Sequence, residues 1–183
     1  MTNATEQRHG EKPADGGDGL NAQGMQRAQC LRNVFGASSQ YNIGYILAET
    51  PKSSESLIHM FTVTGNHQDR QQLTRWPQGG KRRRPVDTVT PLANDLGLSV
   101  DTHCDRDDPD CVKDAVSAYK GSGNVLICWE HDALQDICKE LGKKSSNCPN
   151  YPDDSFNIIW TDPAPYNNGV VSSTSEMCPG LDN

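Results

Sequence analysis

The stretch Asn124-Val-Leu-Ile-Cys-Trp129, followed at once by Glu130 and His131, decides the fold class. A near-continuous apolar run of this length suits a strand covered on both faces, as in a parallel sheet between helical layers. A half-solvated strand would alternate. Two further apolar runs read as strands, Phe156-Asn-Ile-Ile-Trp160 and the weaker Tyr45-Ile-Leu-Ala48. Helical patterns lie between them. Asn21 can cap a helix with Met25, Ala28, Leu31, Val34 and Phe35 on its apolar face and Gly36 as its stop. Asp87 to Leu96, Pro109 to Lys120 and Asp132 to Leu141 each repeat apolar side chains at helical spacing, and Gly97 and Gly142 end the first and last. Helices alternating with apolar strands predict an α/β domain, a three-layer α/β/α sandwich with a mostly parallel sheet.

Working outward, 183 residues predict one domain. Hydrophobic residues make up 34% of the chain, so a modest core must coexist with long polar segments. Ser53 to Gly80 has no clean period and reads as an insertion, lid-like if it is structured. Tyr166 to Asn183, rich in Ser, Gly and Asn, reads as irregular. The formal net charge of −7 argues against nucleic acid and anionic membranes as partners. No run approaches the roughly 18 apolar residues that a membrane span needs. Met1 to Gln7 shows no apolar core of a secretion signal, so the expected location is cytoplasmic. The odd count of seven cysteines then reads as mostly buried free thiols in a reducing compartment, with a Cys104–Cys111 loop as the alternative. A zinc site would want two tight ligand pairs, which the sequence lacks, and no metal is expected.

Four short motifs carry chemistry. Arg8-His9-Gly10 is followed by Glu11. Leu20-Asn-Ala-Gln-Gly24-Met-Gln-Arg-Ala28 opens a helix, and Arg84-Pro-Val-Asp-Thr88 opens another. Val125-Leu-Ile-Cys-Trp-Glu-His131 puts a histidine at the carboxyl end of a strand, where open α/β sheets bind ligands. In this order the motifs resemble the histidine phosphatase superfamily, with its phosphoglycerate mutase-like fold. Cys104-Asp-Arg-Asp-Asp108-Pro-Asp-Cys111 and Cys178-Pro-Gly-Leu-Asp182 look like a small fungal branch of it.

The resemblance implies a phosphomonoester hydrolase of small molecules that needs no cofactor. His9 would be the nucleophile, carrying the phosphoryl group as a phosphohistidine. Arg8, Arg84 and His131 would bind the phosphate, the arginines through directional forks that lysine cannot match. His131 would also donate as charge redistributes. Thr88 matches a position that packs the helix start. For the leaving-group proton, Asp132 is the expected acid, with Glu130, Asp105, Asp107 and Asp108 as competitors. The alternative function is a catalytically weak or inactive phosphatase-like binding module.

One feature discriminates between the two. The family leads into Arg-His-Gly with an apolar central strand, whereas Thr2 to Gln7 has Ala4 as its only apolar side chain. A central strand here would bury Glu6 and several amides or hydroxyls, at a few kcal/mol each if unpaired. Activity requires that this strand form and bring His9 to Arg84 and His131.

Overall fold

The computed structural model describes residues 2–53, 80–142 and 146–182. The polar lead does form a strand, β1 (Asn3–Arg8), because both of its edges are taken. On one side it pairs in parallel with β6 (Asn124–Trp129), with Arg8 opposite Trp129. On the other it pairs antiparallel with β7 (Ile158–Pro163). Ladder pairing satisfies the backbone on both edges, which holds a sequence of low strand propensity in place.

Around this centre the described strands run β5-β2-β6-β1-β7-β8. β2 (Ile43–Ala48) and the short β5 (Val100–Asp101) continue the parallel half. β8 (Ser172–Ser175) adds an antiparallel edge outside β7. Helices α1 (Ala22–Val34) and α2 (Arg84–Leu96) cover one face, where Leu31, Phe35, Val89 and Leu92 pack with Ile46, Leu126 and Cys128. Helices α3 (Pro109–Ala118) and α4 (His131–Gly142) cover the other, where Val112, Val116, Leu134 and Ile137 pack with Leu47, Ile127 and Trp129. The three-layer α/β/α expectation holds. Trp129 and Trp160 are core residues.

Three local expectations need correction. Met25 does not face the core; it is 56% exposed, and α1 buries Gly24, Arg27, Ala28 and Leu31 instead. The helix turns so that a glycine and an arginine, not a methionine, meet the loop after β1. The chain after Tyr166 is not wholly irregular, since it contributes β8. The insertion lies almost entirely outside the described residues, as do His59 and His67. Only its ends are seen, where β3 (Lys52–Ser53) pairs with β4 (Gly80–Lys81).

The cysteine reading is also overturned. Six of the seven are bonded, as Cys30–Cys178, Cys104–Cys111 and Cys138–Cys148, and Cys128 alone is a buried free thiol. The Cys104–Cys111 loop, the alternative reading, is among them, whereas the 148-residue separation of Cys30 and Cys178 shows why linear spacing could not reveal that bridge. The first bridge joins α1 to the C-terminal segment only because the fold lays that segment beside the helix.

Glu6 realises the burden foreseen for β1. It is fully buried, and neither carboxylate oxygen has a hydrogen-bond partner among the described residues. Burial, and secondarily the charge of Asp162 on the neighbouring strand, pushes its carboxyl up to about 8. The folded state therefore keeps a proton that the unfolded chain, with an ordinary value of about 4.3, releases. Stability is full below about pH 4.3 and falls as pH rises towards 8. Thermal melts should show the wild type losing stability across this window and Glu6→Gln losing less, with a gain for the variant of about 1–3 kcal/mol near pH 8. A wild type that melts no lower at pH 8 than at pH 5 would contradict this.

Candidate active site

The parallel pairing of β1 with β6 sets the site. Because Arg8 lies opposite Trp129, the next residues, His9 and Glu130, emerge side by side at the carboxyl ends of adjacent strands. The His9 amide donates to the Trp129 carbonyl at 3.1 Å and locks this register. The His9 ring is buried, with Nδ1 2.7 Å from the Gly10 carbonyl oxygen. A carbonyl only accepts, so Nδ1 carries the hydrogen and Nε2 is the atom turned to the site.

The loop behind His9 is held by the other motifs. The Gly10 amide donates to Thr88 Oγ1 at 2.9 Å, and that hydroxyl donates to the Arg84 carbonyl at 2.7 Å. Thr88 therefore does more than pack a helix start: it ties the loop to the turn that carries Arg84. Gly24 explains the second motif. A Cβ there would sit 2.5 Å from the Glu11 carbonyl oxygen and 2.8 Å from its nitrogen, so only glycine lets α1 approach the loop.

Arg84 opens α2. Its Nη1 donates to the Gly17 carbonyl at 3.2 Å, its Nη2 lies 3.8 Å from Glu130 Oε2, and its buried Nε has no partner among the described residues. His131 opens α4, with Nδ1 2.5 Å from Glu130 Oε1 and Nε2 3.1 Å from Asp132 and 3.3 Å from Asp153. His9 Nε2 meets Glu130 Oε2 at 3.1 Å. His9, Arg84 and His131 thus converge on one carboxylate. Burial pushes the Glu130 carboxyl up, but hydrogen bonds and charge from His9 and His131 outweigh it and hold it well below the usual carboxylate range.

Arg8 is anchored on the segment before β7. Its Nη1 faces the carbonyls of Asp153 at 2.6 Å, Ser155 at 2.8 Å and Pro152 at 3.5 Å, and its guanidinium lies 3.9 Å over the Phe156 ring. Arg8 and His9 both approach the Phe156 ring, whose centroid lies 6.3 Å from that of the His9 ring. Arg8 braces the segment before β7 and is also close enough to Glu130 to feel its charge. Asp132 is 63% exposed, between His131 and Arg106, whose Nη2 lies 3.4 Å from its Oδ2. Asp108 caps α3 through the Cys111 amide and Asp107 pairs with Arg106, so these two competitors have other work.

Open clefts flank the cluster. One, of about 580 Å³, is lined by Glu11, Lys12, Arg84 and Phe156. Another, of about 430 Å³, is lined by His131, Asp132 and Asp153. Among the described residues, Glu130, His131 and Asp132 could offer ligand atoms to a cation, although His9, Arg84 and Arg106 already engage both carboxylates.

The chain superposes on a mycobacterial glucosyl-3-phosphoglycerate phosphatase with a TM-score of 0.52 at 12% identity, covering 87% of this chain and 89% of that one. The fold is that of the phosphoglycerate mutase-like phosphatases. A mycobacterial hydrolase is also similar, with a TM-score of 0.47 at 12% identity over 78% of this chain and 79% of the other. No family model and no curated protein matches the chain.

In this phosphoglycerate mutase-like frame, the central sequence expectation is met: His9, Arg84 and His131 come together. The residue that sequence reasoning undervalued is Glu130, considered only as a rival acid. Its signal was its place between a strand end and His131. Glu49, at the end of β2, was missed altogether. Its Oε2 accepts from the Glu130 amide at 3.2 Å, and burial pushes its carboxyl up to about 7 against the lowering effect of that bond.

Proposed function

We propose that this protein is a phosphomonoester hydrolase acting on small phosphorylated molecules through a phosphohistidine on His9. One observation carries the reading: His9, Arg84 and His131 surround a single anionic group at the carboxyl end of the sheet. A phosphoryl group in that position would have His9 Nε2 as nucleophile, its tautomer fixed by the Gly10 carbonyl. Arg84 and His131 would supply fixed donors to the equatorial oxygens as charge spreads over them. Thr88 keeps Arg84 in register with the nucleophile loop, and Arg8 keeps the 152–155 segment against the site. The presence of β1 supports this reading over the alternative of a catalytically weak or inactive binding module.

No helix among the described residues is long and apolar enough to cross a membrane. The three disulfides support a working place in an oxidising compartment instead of the cytoplasm that the sequence suggested.

Acid quench of wild-type protein during turnover of a radiolabelled aryl phosphate should trap an acid-labile phosphoenzyme. Proteolysis should place the label on the peptide containing His9. A label on another residue, or turnover without any phosphoenzyme, would refute the reading.

A further inference from the structure

Two acceptors cannot face each other at hydrogen-bond distance without a proton between them. His9 Nδ1 carries its hydrogen towards the Gly10 carbonyl, so a neutral Nε2 would present a lone pair to Glu130 Oε2, 3.1 Å away. The contact therefore holds one proton. Attack on phosphorus needs that lone pair bare, so the proton has to leave Nε2 before the first step, and Glu130 is the acceptor already in contact with it.

We propose that the Glu130 carboxylate occupies the phosphoryl position in the resting protein and, once displaced by substrate, carries this proton to the leaving group. This deepens the phosphohistidine reading and rests on it. The surroundings supply the driving force. At rest, Glu130 is held as an anion by His9 from β1, His131 from α4 and, more distantly, Arg84 from α2. Arg8 adds positive charge from β1, while Glu49 from β2, Asp132 from α4 and Asp153 oppose it. An entering phosphoryl dianion takes the donors of the first three groups and adds negative charge. Glu130 is then left half-buried beside like charges, which favours its protonated form. Its side chain is 18% exposed, so it has a solvent side towards which to turn and on which it can meet a leaving oxygen.

The steps balance. The Nε2 lone pair forms the N–P bond as the ester P–O bond breaks. The departing oxygen keeps its electron pair and takes the Oε2 proton, giving the alcohol, phospho-His9 and a Glu130 carboxylate. In the second displacement the carboxylate takes a proton from the attacking water. The N–P electron pair returns to Nε2, phosphate leaves, and the shared proton is restored. Asp132 is a poorer acid because it is mostly exposed and engaged by His131 and Arg106.

The test compares kcat/KM of wild type, Glu130→Gln and Asp132→Asn on an aryl phosphate with a good leaving group and on glycerol phosphate, whose alkoxide needs a proton. Glu130→Gln should lower the glycerol phosphate to aryl phosphate ratio by about 10²-fold or more. Asp132→Asn should lower both esters in similar proportion, through its contact with His131. Calorimetric titration with inorganic phosphate should show tighter binding by Glu130→Gln, at least tenfold, because the internal competitor is gone. This measurement does not depend on turnover. An unchanged ester ratio in Glu130→Gln, a selective loss in Asp132→Asn, or phosphate binding no tighter than wild type would each overturn the proposal. A wild type that turns over neither ester would refute the hydrolase reading itself, whereas normal aryl turnover through phospho-His9 with an unchanged ratio would refute only the role of Glu130.

Discussion

His9→Ala is expected to reduce turnover of an aryl phosphate by a factor on the order of 10⁴–10⁶, close to background, because the variant loses the proposed nucleophile. The size follows from how the site is built. In the proposed reaction Arg84 and His131 would stabilise charge on the transferring phosphoryl group but would supply no nucleophile, and a water molecule would have to substitute at an entropic disadvantage. The substitution should leave the fold intact. The loop around position 9 is fixed by backbone groups, with the residue 9 amide on Trp129 and the Gly10 amide on Thr88. Inorganic phosphate should therefore still bind to Arg84 and His131. Steady-state kinetics with equal melting temperatures checks this; an active variant would mean that the nucleophile lies elsewhere.

The second large effect concerns stability. Arg27→Met is expected to cost about 3–5 kcal/mol in urea unfolding, the usual penalty for removing one partner of a buried ionic cluster. Arg27 is 2% exposed and serves three carboxylates at once. Its Nε and Nη2 fork onto Glu11, its Nη1 reaches Glu176 at 2.5 Å, and its Nη2 reaches Asp182 at 3.0 Å. Burial disfavours the Arg27 charge, but bonds to Glu11, Glu176 and Asp182 reverse this and hold the guanidinium more firmly charged than in water. Without it the three carboxyl groups would be confined together with no partner cation. Burial already pushes Glu176 up to about 8, even with Arg27 in place. The Cys30–Cys178 bridge would still clip the segment to α1, so partial unfolding of that segment should not hide the loss. A cost below about 1 kcal/mol would show that the cluster contributes little. Because Glu11 directly follows Gly10, this hub also braces the loop that carries His9.

What was legible in the sequence was local. The apolar run of β6 announced a strand covered on both faces, and helical spacing with glycine stops placed α2, α3 and α4 to within a few residues. Histidine and arginine at element ends named three groups that the structure brings to one point, because the ends of strands and helices are where side chains can converge.

Other features were decided only by the tertiary structure. β1 has a composition that argues against a central strand, and it forms because β6 and β7 offer it partners on both edges, a gain that no local propensity records. The disulfides join positions up to 148 residues apart, a proximity that spacing cannot express. The sequence by itself determined which residue types could make a phosphate site. The paired register of β1 and β6 decided that Glu130 would stand at its centre, because strand pairing alone fixes which side chains share an end of the sheet.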